Sequence, residues 1–314
     1  MIDHSASMTT NSLRVPLSRA FHPPRDFGLA EALGSFRRYD TWRLARYLKL
    51  GDPLRGGAFR LNGATLLHFS DVGYFNRVYD FGLENVDNLG AIEGHYRETC
   101  KVPRQLGITL VGREGFDLDT VGDALRAQGF EATVPTARLG LDLLSETVRA
   151  STFESVVRNG LHGKSAESGS EKLASLEFRQ PVPHEYDTVL DLYLNGFQAP
   201  PQNHSAAKRN MIQLFGQPEL ETWCAFDRET PVALGMLFIT PPVGVLVAGV
   251  TSPAFQKQGV HEALIQLRIA HAKAIGCSQL YAWADADGQS CRNLREQGFE
   301  LLRIDRAWTQ RTSS

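Results

Sequence analysis

The alternation of apolar and polar residues in the second half of the chain predicts a regular series of strands and helices. The spacing of Tyr186, Val189, Tyr193 and Phe197 is helical, and a second helix is predicted to begin at Ser205. Seven further segments follow, namely the strands ELETWCAFD, PVALGMLFIT and VGVLVAGVT, the helix GVHEALIQLRIAHAKAIGC, the strand SQLYAWAD, the helix SCRNLREQGF and the segment ELLRIDRAWTQR, which holds one or two final strands. With SLEFRQP as a first strand, the predicted order is β-α-α-β-β-β-α-β-α-β-β. Three strands joined by tight turns indicate an antiparallel meander, and the helix after them indicates a parallel crossover.

The first half shows the same pattern less clearly, ending in the order α-β-α-β. It also contains LRAQGFE at 125–131, which differs at one position from LREQGFE at 294–300. Each copy fits a helix end at which glycine takes the left-handed conformation and phenylalanine packs against a sheet. The repeat indicates a duplicated domain, with convergent helix-end chemistry as the alternative.

Composition places a linker between the halves. Residues 159–175, NGLHGKSAESGSEKLAS, contain few large apolar side chains. The predicted organisation is therefore a loose N-terminal arm at 1–26, a domain at 27–158, this linker, and a second domain at 176–314. The arm lacks the apolar core of a signal peptide.

Net charge and cysteine spacing argue against nucleic-acid, membrane and zinc-binding functions. The formal net charge is −2, so no basic balance favours nucleic acid as a partner, and no apolar run is long enough to span a membrane. The four cysteines have neither C-x-x-C nor zinc-ligand spacing, which favours reduced thiols in a cytoplasmic protein that holds no metal.

The segment VAGVTSPAFQKQGVHEALIQL, residues 247–267, carries the clearest chemical signal. A hydrophobic strand ends at Val250 and Thr251, a polar loop follows, and a helix begins near Val260. The start of a helix presents unpaired N–H groups and a positive dipole end, which suit a phosphate or pyrophosphate. Lys257 adds positive charge, and Gly259 allows close approach of the backbone.

These residues resemble the GNAT N-acetyltransferase superfamily. The family loop is Arg/Gln-x-x-Gly-x-Gly/Ala, and Gln256-x-x-Gly259-x-His261 matches all but its last position. A downstream helix of the form Asn-x-x-Ser-x-Arg…Gly-Phe is matched by DADGQSCRNLREQGFE, with Asp287 in place of Asn. The resemblance covers 176–314. With the repeat, it implies an α/β fold of tandem GNAT-like domains, each a mixed, mostly antiparallel sheet flanked by helices.

The resemblance implies that acetyl-CoA is the co-substrate, held in a V-shaped opening between the fourth and fifth strands. A backbone N–H at the end of the fourth strand is expected to polarise the acyl carbonyl, and an amine attacks directly. The residues expected to contact acetyl-CoA are Val250, Thr251, Gln256, Lys257, Gln258, Gly259, Val260, His261, Ser290 and Asn293.

The chain departs from the family pattern where proton transfer is expected. Leu294 stands where many members have a general-acid tyrosine, and residues 243–249 include no carboxylate. The catalytic candidates are His204, in the turn between the first two helices, and Asp285, at the end of the fifth strand. Each has an alternative interpretation, as an exposed loop histidine and as a turn-initiating aspartate. We therefore expect a proton route linked through water.

The first half has no Gln-x-x-Gly-x-Gly loop. Its corresponding region contains Glu84, Asn85 and Asp87, and acidic groups repel a pyrophosphate. This half is expected to share the fold, to bind no CoA and to shape the acceptor pocket.

The sequence thus predicts an N-acetyltransferase that acts on a primary amine of a small molecule, as a monomer or homodimer, without nucleic-acid or membrane partners. Two alternatives remain: a CoA-binding regulatory or sensing pseudoenzyme, and transfer of a longer acyl group.

Overall fold

A computed structural model describes residues 13–14, 27–48, 56–69, 75–99, 108–145 and 173–310. Among these residues the strands form two seven-stranded sheets, and the chain divides into two compact units. Unit 1 comprises Met1–Ala20, Gly51–Thr133 and Ala307–Ser314, and unit 2 comprises Phe21–Leu50 and Val134–Arg306.

The helices and strands follow the chain in this order. The helices are α1 (Leu29–Leu48), α2 (Leu83–Val86), α3 (Leu89–Thr99), α4 (Gly122–Ala127), α5 (Tyr186–Gly196), α6 (His204–Met211), α7 (Val260–Ala274) and α8 (Gln289–Glu296). The first seven strands are β1 (Leu13–Arg14), β2 (Gly56–Leu61), β3 (Ala64–Phe69), β4 (Arg77–Phe81), β5 (Thr109–Gly112), β6 (Phe130–Ala132) and β7 (Thr136–Asp142). The last seven are β8 (Glu177–Arg179), β9 (Leu220–Asp227), β10 (Thr230–Thr240), β11 (Val243–Thr251), β12 (Gln279–Asp285), β13 (Glu300–Asp305) and β14 (Trp308–Gln310).

In unit 1 the sheet order is β1-β2-β3-β4-β5-β14-β6. Strands β2, β3 and β4 form an antiparallel meander, and β5 runs parallel to β4 after the crossover through α3. The core of this unit includes Phe81, Tyr96, Phe130 and Trp308, each at most 1% exposed. Trp308 also donates its indole N–H to Asp119.

In unit 2 the sheet order is β13-β7-β12-β11-β10-β9-β8, again with an antiparallel meander, β9-β10-β11, and a parallel β12. Helix α7 covers one face, where apolar residues such as Leu264 and Leu267 are buried. Helices α1 and α5 cover the opposite face: the Tyr39 ring lies 5.3 Å from the Phe238 ring, and Gly196 lies against the Val250 side chain.

The predicted element order of the second half is confirmed in full, from β8 to β14. In the first half, β4 lies in a segment that the sequence left unassigned, and Leu13–Arg14 of the predicted arm form a strand paired with β2. The repeated helix ends behave as predicted, since Gly129 and Gly298 have φ of +80° and +91° and the phenylalanines after them are buried.

The compact units do not follow the predicted ranges 27–158 and 176–314. Strand β7, which follows the first copy of the repeat, lies between β12 and β13 in the sheet of unit 2. Strand β14, which follows the second copy, lies between β5 and β6 in the sheet of unit 1. Each unit is therefore completed by a strand from the other end of the sequence. Residues 159–172 of the predicted linker lie outside the described residues.

Candidate active site

The sheet of unit 2 opens between β11 and β12. Parallel pairing holds only from Val243 to Leu246, opposite Gln279 to Ala282, although both strands continue further. At the same level β11 has a bulge, because Gly235 and Leu237 of β10 oppose Gly249 and Leu246. Two residues of β11 thus face one of β10, which bends β11 away from β12. We call this wedge between the two strands the opening.

Backbone groups of β11 point into the opening at alternate residues. The Ser252 N–H donates to the Val232 carbonyl, so in this register Val250 also exchanges hydrogen bonds with β10. Gly249 and Thr251, on either side of Val250, turn their N–H and C=O groups away from β10. The Thr251 carbonyl accepts a hydrogen bond from the Gln256 side chain. Gly249 therefore offers both a donor and an acceptor to an extended ligand.

The loop after β11 turns backbone N–H groups to one side at the start of α7, and we call this arrangement the anion cradle because such N–H groups suit an anion. Lys257 and Gly259 have φ of +59° and +79°, and left-handed residues at such short spacing turn neighbouring N–H groups to one side. The first hydrogen bond of the helix runs from the Ala263 N–H to the Gly259 carbonyl. The N–H groups of residues 260–262 hence have no partner within α7.

Among the residues predicted to contact the cofactor, several have side chains that are buried or that brace the loop, so any contact with a ligand would be made by their backbone. The Val260 side chain is buried in the core, which leaves its N–H for a ligand. The Gln256 and Gln258 side chains donate to the Thr251 and Ala254 carbonyls and so hold the loop in shape. Lys257 is exposed beside the cradle.

His261 turns its ring away from the cradle and lies beneath the opening. A Cβ atom on Gly249 would come within 2.9 Å of His261 Nε2, so the glycine makes room for the ring. Asn293 of α8 donates its side-chain N–H to His261 Nδ1 over 2.9 Å, which places the ring proton on Nε2. Asn293 is buried, whereas Ser290 is exposed on the same helix.

We predict that His261 makes stability depend on pH. Burial, and secondarily the Arg268 charge, lower the pKa of His261 to about 4. Below the unfolded pKa near 6.5, the unfolded state takes up a proton that the folded state refuses, so stability is lost as pH falls towards 4. The shift corresponds to roughly 3 kcal/mol at most.

Urea unfolding of the native protein and of His261→Asn at several pH values between 8 and 4 tests this. The native protein should lose more stability than the variant over this range. Parallel curves for the two proteins would contradict the prediction.

Arg268 of α7 is buried under the bulge. Its Nε donates to the Leu264 carbonyl at 2.9 Å, and its Nη1 donates to the carbonyls of Met236 and Ala248 at 3.0 and 3.1 Å. A Cβ on Gly235 would lie 2.7 Å from the guanidinium carbon. Because Gly235 pairs with Gly249, two facing glycines accommodate Arg268 and His261 of one helix.

The two predicted catalytic residues have different surroundings. His204 is the first residue of α6, and its Nε2 donates to the Ala199 carbonyl over 2.8 Å. Asp285 is exposed at the end of β12, and its carbonyl accepts from the Gly288 N–H in a turn. Among the described residues, neither side chain forms a hydrogen bond or an ion pair with the loop after β11.

The corresponding edge of unit 1 is closed. Strand β4 pairs with β5 at Arg77 and Val78 and, after a bulge in β4, pairs again at its last residue, where Phe81 lies opposite Gly112 and its carbonyl accepts from the Arg113 N–H. Asn85 accepts from the Gly82 N–H, and Glu84 forms an ion pair with Arg113 at 2.7 Å. Among the described residues of unit 1, the strands therefore meet again at this edge, and the segment after β4 carries the carboxylate of Glu84 in an ion pair.

Sequence reasoning missed Gly249, Gly235 and Arg268. A glycine inside a strand is a recognised sign of a bulge or of a close approach, so VLVAGVT contained a usable signal. Arg268 gave no such signal, because a single arginine in an amphipathic helix is ordinary.

Three further features bear on the earlier expectations. In the part of the chain that the structure describes, no group of three or more His, Cys, Asp or Glu side chains could hold a metal ion. Cys224, Cys277 and Cys291 are buried free thiols, and burial raises the pKa of Cys277 to about 11. In the same described ranges, no helix has the length and apolar character to cross a membrane.

Comparison with known proteins gives a family match for part of the chain. Residues 186–299 match the model of the Acetyltransferase (GNAT) family. A search of curated proteins finds no match.

Solved structures show the same fold over most of the chain. A GCN5-related N-acetyltransferase from Kribbella flavida is 14% identical with a TM-score of 0.58, over 92% of this chain and 98% of its own. A tandem GNAT protein from the clavulanic acid biosynthesis pathway is 11% identical with a TM-score of 0.52, over 87% and 88%. A functionally unknown conserved protein from Staphylococcus epidermidis is 9% identical with a TM-score of 0.59, over 85% and 98%. The predicted tandem GNAT fold is therefore confirmed.

Proposed function

We propose, from the match of residues 186–299 to the GNAT acetyltransferase family model, that the protein transfers an acetyl group from acetyl-CoA to a primary amine of a small molecule. The observation that carries the proposal is the opening of unit 2. It combines the backbone groups of Gly249, which do not pair with β10 or β12, with the anion cradle at Gly259. Gly249 lies near the end of β11, and Gly259 lies in the loop that follows this strand. An extended chain that ends in a pyrophosphate fits such a site, since the strand edge pairs with amides and the helix start binds the anion.

The reaction needs no covalent enzyme intermediate. The amine nitrogen, once deprotonated, attacks the thioester carbon and forms the C–N bond while the carbonyl electron pair moves onto oxygen. That pair then returns, the C–S bond breaks, the nitrogen gives up a second proton, and CoA leaves as a thiolate that takes up a proton in its place. The net products are the amide and CoA thiol, with one proton released from the original ammonium. The protein contributes orientation and stabilisation of the oxyanion.

The face of β12 turned towards α1 suits an amine. Trp283 is the first residue on that face beyond the last pair with β11, and its ring lies 4.6 Å from Phe36 and 6.3 Å from Tyr39. Asp285 lies two residues further along β12, so its side chain is on the same face of the strand, and it is exposed. Aromatic rings beside a carboxylate attract an ammonium group. This supports a small organic amine as the acceptor.

We predict that neither His204 nor Asp285 alone carries proton transfer. His204 is tethered to its own turn, and Asp285 is exposed, so a water-linked route can be rerouted around either one. A directly acting group contributes ~10²–10⁴-fold. His204→Ala and Asp285→Asn should therefore each lower turnover by only about 10- to 100-fold.

Steady-state kinetics of both variants with the best acceptor measures this effect, and calorimetry with CoA checks that the site is intact. If one substitution abolishes turnover while CoA binding persists, that residue is the base. If neither changes the rate, both assignments fail.

One observation favours the pseudoenzyme alternative. Leu294, at the family's general-acid position, is 4% exposed and packs in the core with Leu280 and Phe299. No side chain at that position of α8 can protonate the leaving thiolate. A CoA-binding regulatory protein would retain the opening and the cradle and would lack turnover.

A direct test measures CoA release from acetyl-CoA across a panel of primary amines, with propionyl-CoA and butyryl-CoA as alternative donors. Calorimetry should show one acetyl-CoA per chain, because the unit 1 sheet is closed. Turnover with any amine supports the enzyme, and binding without turnover supports the regulatory protein. Absence of binding rejects both. A cytoplasmic location and a monomeric or homodimeric state remain predictions from sequence.

A further inference from the structure

We propose that Arg268 is a positioning residue for acyl transfer, which aims the Gly249 N–H into the opening and strengthens it as a donor to the acyl oxygen. This inference rests on the proposed function. It also assigns a role to a residue that lies outside the loop and outside the proton-transfer candidates.

The environment of Arg268 is unusual for a charged side chain. Arg268 is 2% exposed, and its three hydrogen bonds all go to backbone carbonyls. Within the described part of the chain, no carboxylate forms an ion pair with it. Burying a cation without a counter-charge costs free energy, so the sequence gains something from keeping it there. Burial lowers the pKa of Arg268 to about 9, which leaves it charged at neutral pH.

One part of the gain is structural. A bulge disrupts the ladder and leaves backbone groups unpaired, and the residues concerned here are Met236 on β10 and Val247 and Ala248 on β11. Arg268 Nη1 bonds to the carbonyls of both Met236 and Ala248 and so bridges the two strands at the bulge. Gly235 is required for this bridge, because any Cβ there would meet the guanidinium at 2.7 Å.

The second gain from burying Arg268 follows from peptide geometry. The Ala248 carbonyl and the Gly249 N–H belong to one trans peptide, so they point in opposite directions. With the Ala248 carbonyl fixed on Arg268, the Gly249 N–H must point away from the guanidinium. That direction is the opening, as the β10–β11 register shows independently.

Besides fixing the direction of the Gly249 N–H, the positive charge of Arg268 makes that N–H a stronger donor. A carbonyl oxygen that accepts a hydrogen bond from a guanidinium draws electron density from its own peptide group. The hydrogen bond to that carbonyl and the one donated by the N–H of the same peptide therefore strengthen one another in a low-dielectric interior. The Gly249 N–H thereby becomes a better donor when the acyl oxygen gains negative charge during attack. A group that acts this way stabilises the transition state more than the bound thioester, so its loss should lower kcat more than affinity.

The test compares Arg268→Gln, Arg268→Lys and the control Lys273→Met, which removes an exposed cation from the same helix. Isotope-edited infrared spectra of acetyl-CoA labelled with ¹³C at the carbonyl are recorded free and bound, alongside kcat and the acetyl-CoA dissociation constant. In the native protein and in Lys273→Met the bound carbonyl band should move to lower frequency. Arg268→Gln should lose that shift and about 10- to 100-fold in kcat, below the ~10²–10³-fold typical of losing an oxyanion donor outright. The acetyl-CoA dissociation constant of Arg268→Gln should change less than about threefold, as expected of a transition-state effect. The band shift and kcat of Arg268→Lys should lie between those of the native protein and those of Arg268→Gln.

Two outcomes overturn the proposal. An unshifted band in the native complex does so without any variant, which covers the case in which Arg268→Gln fails to fold. A variant that is less stable but keeps the band shift and kcat shows that Arg268 only braces the bulge. If the native protein does not bind acetyl-CoA, the proposed function falls and this inference with it, whereas binding with an unshifted band removes this inference alone.

Discussion

Gly259→Trp should weaken acetyl-CoA binding by about a hundredfold or more, a loss of ~2.7 kcal/mol in binding free energy. Gly259 caps α7 with a φ of +79°, which costs an L-residue roughly 1–2 kcal/mol. An indole there also occupies the cradle in which the N–H groups of residues 260–262 meet the pyrophosphate. Isothermal titration calorimetry with acetyl-CoA and with CoA gives the affinities.

The same helix offers a matched control for this variant. Gly276 follows the other end of α7, has a φ of +88° and has open space around its Cβ position. Gly276→Trp therefore brings the same side chain and a similar backbone strain at a distance from the cradle. It should lower the melting temperature as Gly259→Trp does and leave the affinity unchanged. Equal affinities in the two variants would refute the assignment of the loop.

A fragment of residues 176–314 should not fold by itself. It contains the GNAT match but lacks β7, which pairs with β12 over seven residues, whereas β11 pairs with β12 over four. Without β7, strand β13 also loses its partner, and the core loses Leu139 and Leu141. We expect loss of the cooperative unfolding transition, since such a deficit approaches the ~5–15 kcal/mol by which a domain is stable.

The control keeps every strand and breaks only the chain. A protease site inserted within 159–172 should, after cleavage, leave two fragments that migrate together, because each contributes a strand to the other's sheet. Circular dichroism and sedimentation report on both samples. A cooperative unfolding transition and an NMR spectrum with dispersed amide signals from residues 176–314 alone would show that β7 is dispensable.

Much of the site could be predicted from the sequence because its signals are local. The strand, loop and helix of residues 247–267 lie in one stretch, and the positive φ of Gly259 is a property that glycine itself permits. For the same reason, the repeated QGF ends predicted two helix termini with left-handed glycines. Element order follows from such local signals, and the fold class follows from that order.

The donor at the opening could not be predicted in the same way. The sequence pointed to Val250 and the residues near it as backbone partners of acetyl-CoA, and it could not say which of them has free groups. The pairing of β11 with β10 engages Val250 and leaves Gly249 available. A shift of one residue reverses which groups point into the opening, and only the register between two strands decides it.

The sequence by itself determined the order of helices and strands in the second half and the two helix ends at Gly129 and Gly298, because backbone preferences, periodicity and helix-end chemistry act over a few residues. Tertiary structure alone decided that β7 and β14 exchange units, that the sheet opens in unit 2 and stays closed in unit 1, and that Arg268 lies beneath the bulge. These outcomes depend on strand pairing and burial between residues far apart in the chain, and such contacts leave no trace in the residues that flank each position.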